Sequence, residues 1–306
     1  MLIRRCLWVY VGKMGFIKVM HIGDLRFMGV PRRDVDLDTI SAFIEDDGTK
    51  RINFALYHQN ALRRIEGNKD VVGKLVLPFD EPFNVLAKKC LNMDSLLFPS
   101  KFGNNFYRQI YSEEEYKAIE GFMAQFNDIV FLRDTLDLSV ALSMHETEPE
   151  VRTVLGEHEY QLKYQSSQKD TTSDRNALTA EMQKRLEELP YFKLADYICA
   201  VPSGNPFMRD ILAGLDGFGF TDISEKVSWS AKNGSLKNVE TAEEKLDMIQ
   251  SWGLTFDASI DLKDKTVLLV DDMYYSGVTM QYIGMKMKDA GAKRVFGMAL
   301  VKSLGN

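Results

Sequence analysis

The chain has 306 residues, 45% of them hydrophobic and 27% charged, with a formal net charge of −6. That supply of apolar side chains can build a large core, and the length favours two domains. The acidic balance argues against a general nucleic-acid or membrane-surface binder, and no apolar run reaches the length that spans a bilayer.

Met1-Leu2-Ile3-Arg4-Arg5 ahead of an apolar stretch has the outline of a secretion signal. Lys13 and Lys18 interrupt it and no small-residue cleavage site follows, so a β-hairpin turning near residues 12–15 is expected instead. Apolar patterning predicts strands at 51–57, 71–78 and 128–132 and a helix at 112–126. The polar run 165–174 is expected to join an N-terminal α/β or α+β domain, residues 1–165, to a second domain, residues 172–306. Ser173 or Asp174 would cap a helix through Leu178, Met182 and Leu186 to Leu189, which Pro190 stops.

The second domain alternates strand and helix. Residues 195–201 read as a buried strand, and Pro202-Ser203-Gly204-Asn205-Pro206 leads into an amphipathic helix carrying Phe207, Ile211, Leu212 and Leu215. Asn205 suits its N-cap and Pro206 its first turn. A strand at 223–229 and a polar stretch at 230–238 follow. Val267, Leu268, Leu269 and Val270 form a continuous apolar run, as in a parallel strand covered on both faces. Asp271 and Asp272 then fall at its carboxyl end, where ligands bind in open α/β sheets. Helical spacing begins at Met280, continues through Ile283, Met287 and Ala290, and ends at Gly291 as the C′ residue. A strand at 294–301 closes a βαβ unit, right-handed by default.

Between the carboxylates and the helix, Ser276-Gly277-Val278-Thr279 offers backbone N–H groups, two hydroxyls and a helix N-terminus, which together favour a phosphate. Gly277 lets the backbone approach a ligand closely. Adjacent carboxylates have no use for a phosphate, but they accept hydrogen bonds from a vicinal diol or hold a hydrated Mg²⁺ beside it. A sugar phosphate answers both halves.

The run from Val267 to Thr279 resembles the signature with which type I phosphoribosyltransferases bind 5-phosphoribosyl 1-diphosphate (PRPP): a hydrophobic strand, Asp-Asp, two variable residues, two hydroxyl residues, Gly, any residue and Thr. Tyr275 takes the first hydroxyl position, as an aromatic residue does in members of the pyrimidine-operon regulator type. Purine-salvage members carry an Asp at this position, and its absence points away from a 6-oxopurine substrate. The likeness covers the C-terminal third to two-fifths of the chain and is greatest to the competence-associated ComF-like group, although only Arg209 is available for that group's Arg-rich pyrophosphate loop.

The resemblance implies an α/β fold, a parallel sheet with flanking helices, and a phosphoribosyl transfer to a nitrogen acceptor with Mg²⁺ and release of pyrophosphate. It implies that Asp271 and Asp272 serve the ribose hydroxyls, the metal and the oxocarbenium-like transition state, and that Tyr275, Ser276, Gly277, Val278 and Thr279 take the 5-phosphate. Ser203, Gly204 and Asn205 would receive the pyrophosphate. Residues 230–238 would form a mobile flap whose Lys232 and Lys237 meet the leaving group. The hood that recognises the acceptor would come from residues 1–165, and a homodimer, or a protein partner held through that N-terminal domain, is expected.

Two other readings use the same cradle. Domains of this type sense PRPP or a nucleotide without turning it over, in transcriptional repressors and beside toxins or phage-defence components. Alternatively, the carboxylates would act in hydrolysis or transfer on a nucleotide or ADP-ribose-like molecule. Cys6, Cys90 and Cys199 are widely separated, which fits a reducing cytoplasm rather than a disulfide framework. His21, His58, His145 and His158 show no zinc spacing and read as ordinary surface or core residues.

Overall fold

The computed structural model describes residues 34–46, 49–55, 61–68, 70–80, 82–100, 105–203, 207–236 and 239–305. The hairpin expected near residues 12–15 lies outside them, as do Cys6, His21 and His58.

A seven-stranded sheet forms the centre of the fold. Its order is β1 (Arg51–Asn53), β6 (Val130–Leu132), β7 (Leu138–Met144), β15 (Arg294–Lys302), β14 (Thr266–Tyr274), β10 (Tyr197–Ala200) and β11 (Thr221–Asp222). The strands from β7 to β11 run parallel, whereas β6 pairs antiparallel with both β7 and β1. This is the α/β class expected, with strands drawn from both sides of the polar run 165–174. Lys302 lies opposite Met144 and Phe296 opposite Leu138 where β15 meets β7, so the earlier and later segments share one sheet.

Alternation along β14 sorts its side chains between two layers. Leu268 and Val270 enter a core shared with Leu162 of α4 (Val154–Tyr164), with Leu178, Met182 and Leu186 of α5 (Thr172–Glu188), and with Ile211 of α6 (Phe207–Ala213). Val267 and Leu269 enter the opposite core with Met280, Ile283 and Met287 of α8 (Val278–Asp289). All four strand residues are fully buried, each contributing about 1.5–3 kcal/mol.

The helix expected from Met280 buries more than one stripe. Its other side, with Val278, Tyr282 and Met285, meets Ile40 of α1 (Leu37–Glu45) and Leu246 and Ile249 of α7 (Ala242–Ser251). Ala290 is exposed at the C-cap, and Gly291 follows as the C′ residue with φ of 104°.

The predicted elements at 51–57, 71–78 and 128–132 appear as the shorter strands β1, β3 (Gly73–Leu77) and β6, and the predicted helix at 112–126 as α3 (Glu113–Gln125). Ser112 caps α3, its side chain accepting from Glu115 N at 3.1 Å. β3 sits in an antiparallel sheet with β2 (Leu62–Arg64), β5 (Phe106–Ile110) and β4 (Phe98–Pro99). α2 (Phe83–Leu91) and α3 tie this sheet to the first core, where Phe83 and Phe122 pack on Phe54.

Two local expectations change. The N-cap of α5 is Thr171; Ser173 and Asp174 lie inside its first turn, and the Asp174 carboxylate faces His158 Nδ1 at 2.8 Å across α4 and α5. Of the strand expected at 223–229 only β12 (Val227–Trp229) forms: Ser224–Lys226 is a 3₁₀ turn, and β11 ends just before it at Asp222. β12 leaves the main sheet and pairs with β13 (Leu254–Phe256). A further ribbon, β8 (Glu146–Glu148) and β9 (Val151–Arg152), follows β7. No helix among the described residues is long and apolar enough to cross a membrane.

Candidate functional site

β10 and β14 end at different heights, and that difference makes a notch. Ala200 is the last β10 residue, opposite Val270, and the final bond between the two chains runs from Val201 N to Val270 O at 2.8 Å. On its other side β14 stays paired with β15 as far as Tyr274 opposite Lys302. Asp271 and Asp272 therefore stand beside the space beyond β10. They lie within the strand rather than after it and are partly buried rather than solvent-facing, because β15 carries the ladder onward.

The two carboxylates have different surroundings. Asp272 N donates to Asp271 Oδ1 at 3.0 Å. Burial, and then the neighbouring Asp272 charge, push the Asp271 carboxyl up to about 8. Asp272 has the same parity as Leu268 and Val270 and so belongs to the layer that α4 covers. There Lys163 Nζ lies 2.6 Å from Asp272 Oδ2, and both side chains are only 19% exposed.

Lys163 also lies 3.2 Å from Oε1 of Glu159, whose side chain is 0% exposed, and His145 Nε2 is 3.5 Å from the other Glu159 oxygen. Burial alone would lower the Lys163 ammonium, but the Asp272 and Glu159 carboxylates outweigh it and the net shift is upward. His145 is lowered, chiefly by burial.

The loop after the acidic pair is braced from beneath. The Tyr274 hydroxyl donates to Asp134 Oδ2 at 2.9 Å, and Gln281 Oε1 accepts from Thr135 N at 3.1 Å. Gly277 has φ of 74°, and a Cβ there would lie 2.1 Å from the Tyr274 hydroxyl oxygen. Glycine is thus required by backbone conformation and by the tyrosine packed against it, in addition to any closeness to a ligand. The first bond of α8 runs from Gln281 N to Gly277 O at 2.9 Å. The amides of Val278 and Thr279 lie ahead of it and have no partner within the helix.

Tyr275 is 57% exposed, Ser276 and Thr279 are partly buried, and Gly277 and Val278 are buried. A small open cleft adjoins Tyr275 and Ser276, and Lys50, Arg51, Arg133 and Lys302 line it. Three of those four cations precede the polar run 165–174.

The remaining predicted residues fall into two groups. Ser203 is exposed at the start of its loop, while Gly204, Asn205, Pro206 and Lys237 lie outside the described residues. Lys232 is exposed, with Nζ 5.2 Å from the centre of the Trp252 ring, and its charge acts to lower the Asp271 carboxyl. The loop that carries it is fastened at two points: Trp229 Nε1 donates to Pro202 O at 3.0 Å, and Trp252 Nε1 to Asn233 O at 2.7 Å. Arg209 faces Glu225 at 3.7 Å, both well exposed.

The fold therefore gathers Asp271, Asp272, Lys232 and the 275–279 loop at one end of the sheet. Sequence reasoning missed Lys163, Glu159, the placement of His145 and the cations of the cavity. Among the described residues, no group of three or more His, Cys, Asp or Glu side chains is placed to hold a metal ion. A pair of carboxylates fits Mg²⁺ when a phosphate substrate supplies further oxygen ligands.

Residues 182–303 match the family model described as the phosphoribosyl transferase domain. No curated protein matches the chain. Among solved structures, one described as the alanine mutant in an analysis of an invariant aspartic acid in HPRTs is 12% identical, with a TM-score of 0.28 over 48% of this chain and 68% of that one.

Proposed function

We propose, from the premise that residues 182–303 are a type I phosphoribosyltransferase domain, that this domain binds PRPP or a closely related ribose 5-phosphate with Mg²⁺. It transfers the phosphoribosyl group to a nitrogen acceptor and releases diphosphate. The observation that carries this reading is the acidic pair in the notch beyond β10, continuous with a loop whose amides open a helix.

Each half of the site has a task that follows from its chemistry. The amides of Ser276, Gly277, Val278 and Thr279, with the two hydroxyls, take the 5-phosphate, and the cationic cavity beside Tyr275 and Ser276 favours negative charge there. Asp271 and Asp272 accept hydrogen bonds from the ribose hydroxyls and oppose the positive charge that develops on the ring. Ser203, with Gly204 and Asn205, receives the diphosphate, and Lys232 and Lys237 meet it as it leaves. Mg²⁺, when bound, neutralises diphosphate charge beside the carboxylates. The protein forms no covalent bond, so its contribution is orientation, charge and exclusion of water.

The acceptor side falls to the segment before the junction, residues 1–165, as a unit distinct in role from 172–306. α4 already reaches the carboxylates through Lys163, and His145, just after β7, lies behind it against Glu159. The direct test is diphosphate release from PRPP and Mg²⁺ against a panel of bases and amines. Release with one acceptor class, lost when Asp271 and Asp272 become Asn, supports transfer. The Lys163–Asp272 contact favours one alternative, a sensor in which ligand entry moves α4 and changes a protein contact. That reading holds if PRPP binds and no acceptor yields diphosphate.

A further inference from the structure

We infer that Lys163 serves as a built-in counter-ion to the carboxylate pair in the substrate-free protein and weakens its hold on bare divalent metal. The inference rests on the PRPP reading above and assigns Lys163 a role at that site.

The geometry is that of a held cation, not of a surface lysine. Lys163 Nζ lies 2.6 Å from Asp272 Oδ2, with both side chains 19% exposed. Its position does not depend on Asp272 alone, because Glu159, one helical turn earlier and 0% exposed, holds the same ammonium at 3.2 Å. Glu159 lies on the buried side of α4, with His145 Nε2 3.5 Å from its other carboxylate oxygen. Two elements thus meet at this contact, β14 supplying Asp272 and α4 supplying Lys163 and Glu159, with His145, just after β7, behind Glu159.

Charge counting gives the consequence. Without Lys163, Asp272 would face any passing dication as a carboxylate lacking a counter-charge, with Asp271 beside it as a further oxygen ligand. With Lys163 on Asp272 that counter-charge is already present, and a metal bound to this carboxylate would stand within a few ångströms of an ammonium. Bare metal therefore gains little from this site. A substrate carrying diphosphate changes the balance, because its oxygens offer the ammonium a new acceptor and bring ligands for the metal. The lysine stem is long enough to turn while α4 stays in place.

The test uses the full chain without PRPP and Mn²⁺ as a spectroscopic substitute for Mg²⁺, with free Mn²⁺ followed by electron paramagnetic resonance. Lys163→Met is expected to bind bare Mn²⁺ roughly tenfold or more tightly than the parent, the order by which a close opposite charge acts on a carboxylate. Lys163→Arg keeps the charge and should bind as weakly as the parent.

Removing Lys163 leaves Glu159 buried without that partner, so Glu159→Gln with Lys163→Met serves as the second variant and should show the same tightening. Circular dichroism establishes that each variant is folded. Unchanged Mn²⁺ affinity in a folded Lys163→Met protein and in the double variant overturns the inference. Failure of the parent to bind PRPP with Mg²⁺ is a separate result that overturns the functional reading and leaves the bare-metal comparison intact.

Discussion

Trp229 donates its indole N–H to the carbonyl of Pro202 at 3.0 Å. This bond fastens β12, which leads into the 230–238 stretch, to the loop after β10, so the two segments assigned to the diphosphate are mechanically joined. Trp229 also packs edge-on against Trp252, with ring centres 5.4 Å apart. Lys232 therefore sits on a loop with a fixed base.

Trp229→Phe keeps the ring and removes the donor. A net hydrogen bond is worth about 1 kcal/mol, so the melting temperature should fall only slightly. PRPP affinity should drop by about fivefold as the two loops lose register. Unchanged affinity in a folded variant would show that the loops act independently.

Gly277→Ala is expected to damage the fold, not only the ligand site. The added Cβ meets the Tyr274 side chain at 2.1 Å with φ at 74°. Left-handed backbone and overpacking together cost roughly 2–5 kcal/mol. Chemical denaturation measures this directly, and a variant as stable as the parent would contradict the placement of Tyr274 beneath the loop.

Lys302 gives a pH dependence with a definite sign. Burial, and then the nearby Arg51, pull its ammonium from the ordinary 10.5 down to about 7. Between those values the unfolded chain holds a proton that the folded chain has released, so stability rises with pH across that window. Below it both states are protonated and the cost of the buried charge is present in full. Lys302→Met should be the more stable protein at pH 7, and the parent should close the gap by pH 9.5. Parallel melting curves for the two proteins over that range would contradict the burial of this charge beside Arg51.

How much of this could be read in the sequence follows from the range of the interactions. Val267 to Val270, the two aspartates and the Gly277 turn into α8 are local features, and the chain alone carries their patterning. The end of β14 was misplaced because it depends on β15, whose ladder reaches Tyr274 and Lys302. Lys163 was missed for a similar reason. Glu159 and Lys163, spaced i and i+4 on a helix, look like a solvated ion pair. Only the pairing of β7 with β15 brings α4 over the even-numbered side chains of β14 and makes that pair part of the site. The basic residues of the cavity, Lys50 with Arg51, Arg133 and Lys302, come from three separate segments with no shared motif.

Calorimetric titration with PRPP and Mg²⁺ tests most directly whether Asp271 and Asp272 hold a ribose phosphate. The parent protein should give saturable binding, and the variant with both residues changed to Asn should remain folded, since Glu159 still holds Lys163, yet give none. Equal binding by both proteins, or no binding by a folded parent, would contradict the assignment of this site to PRPP.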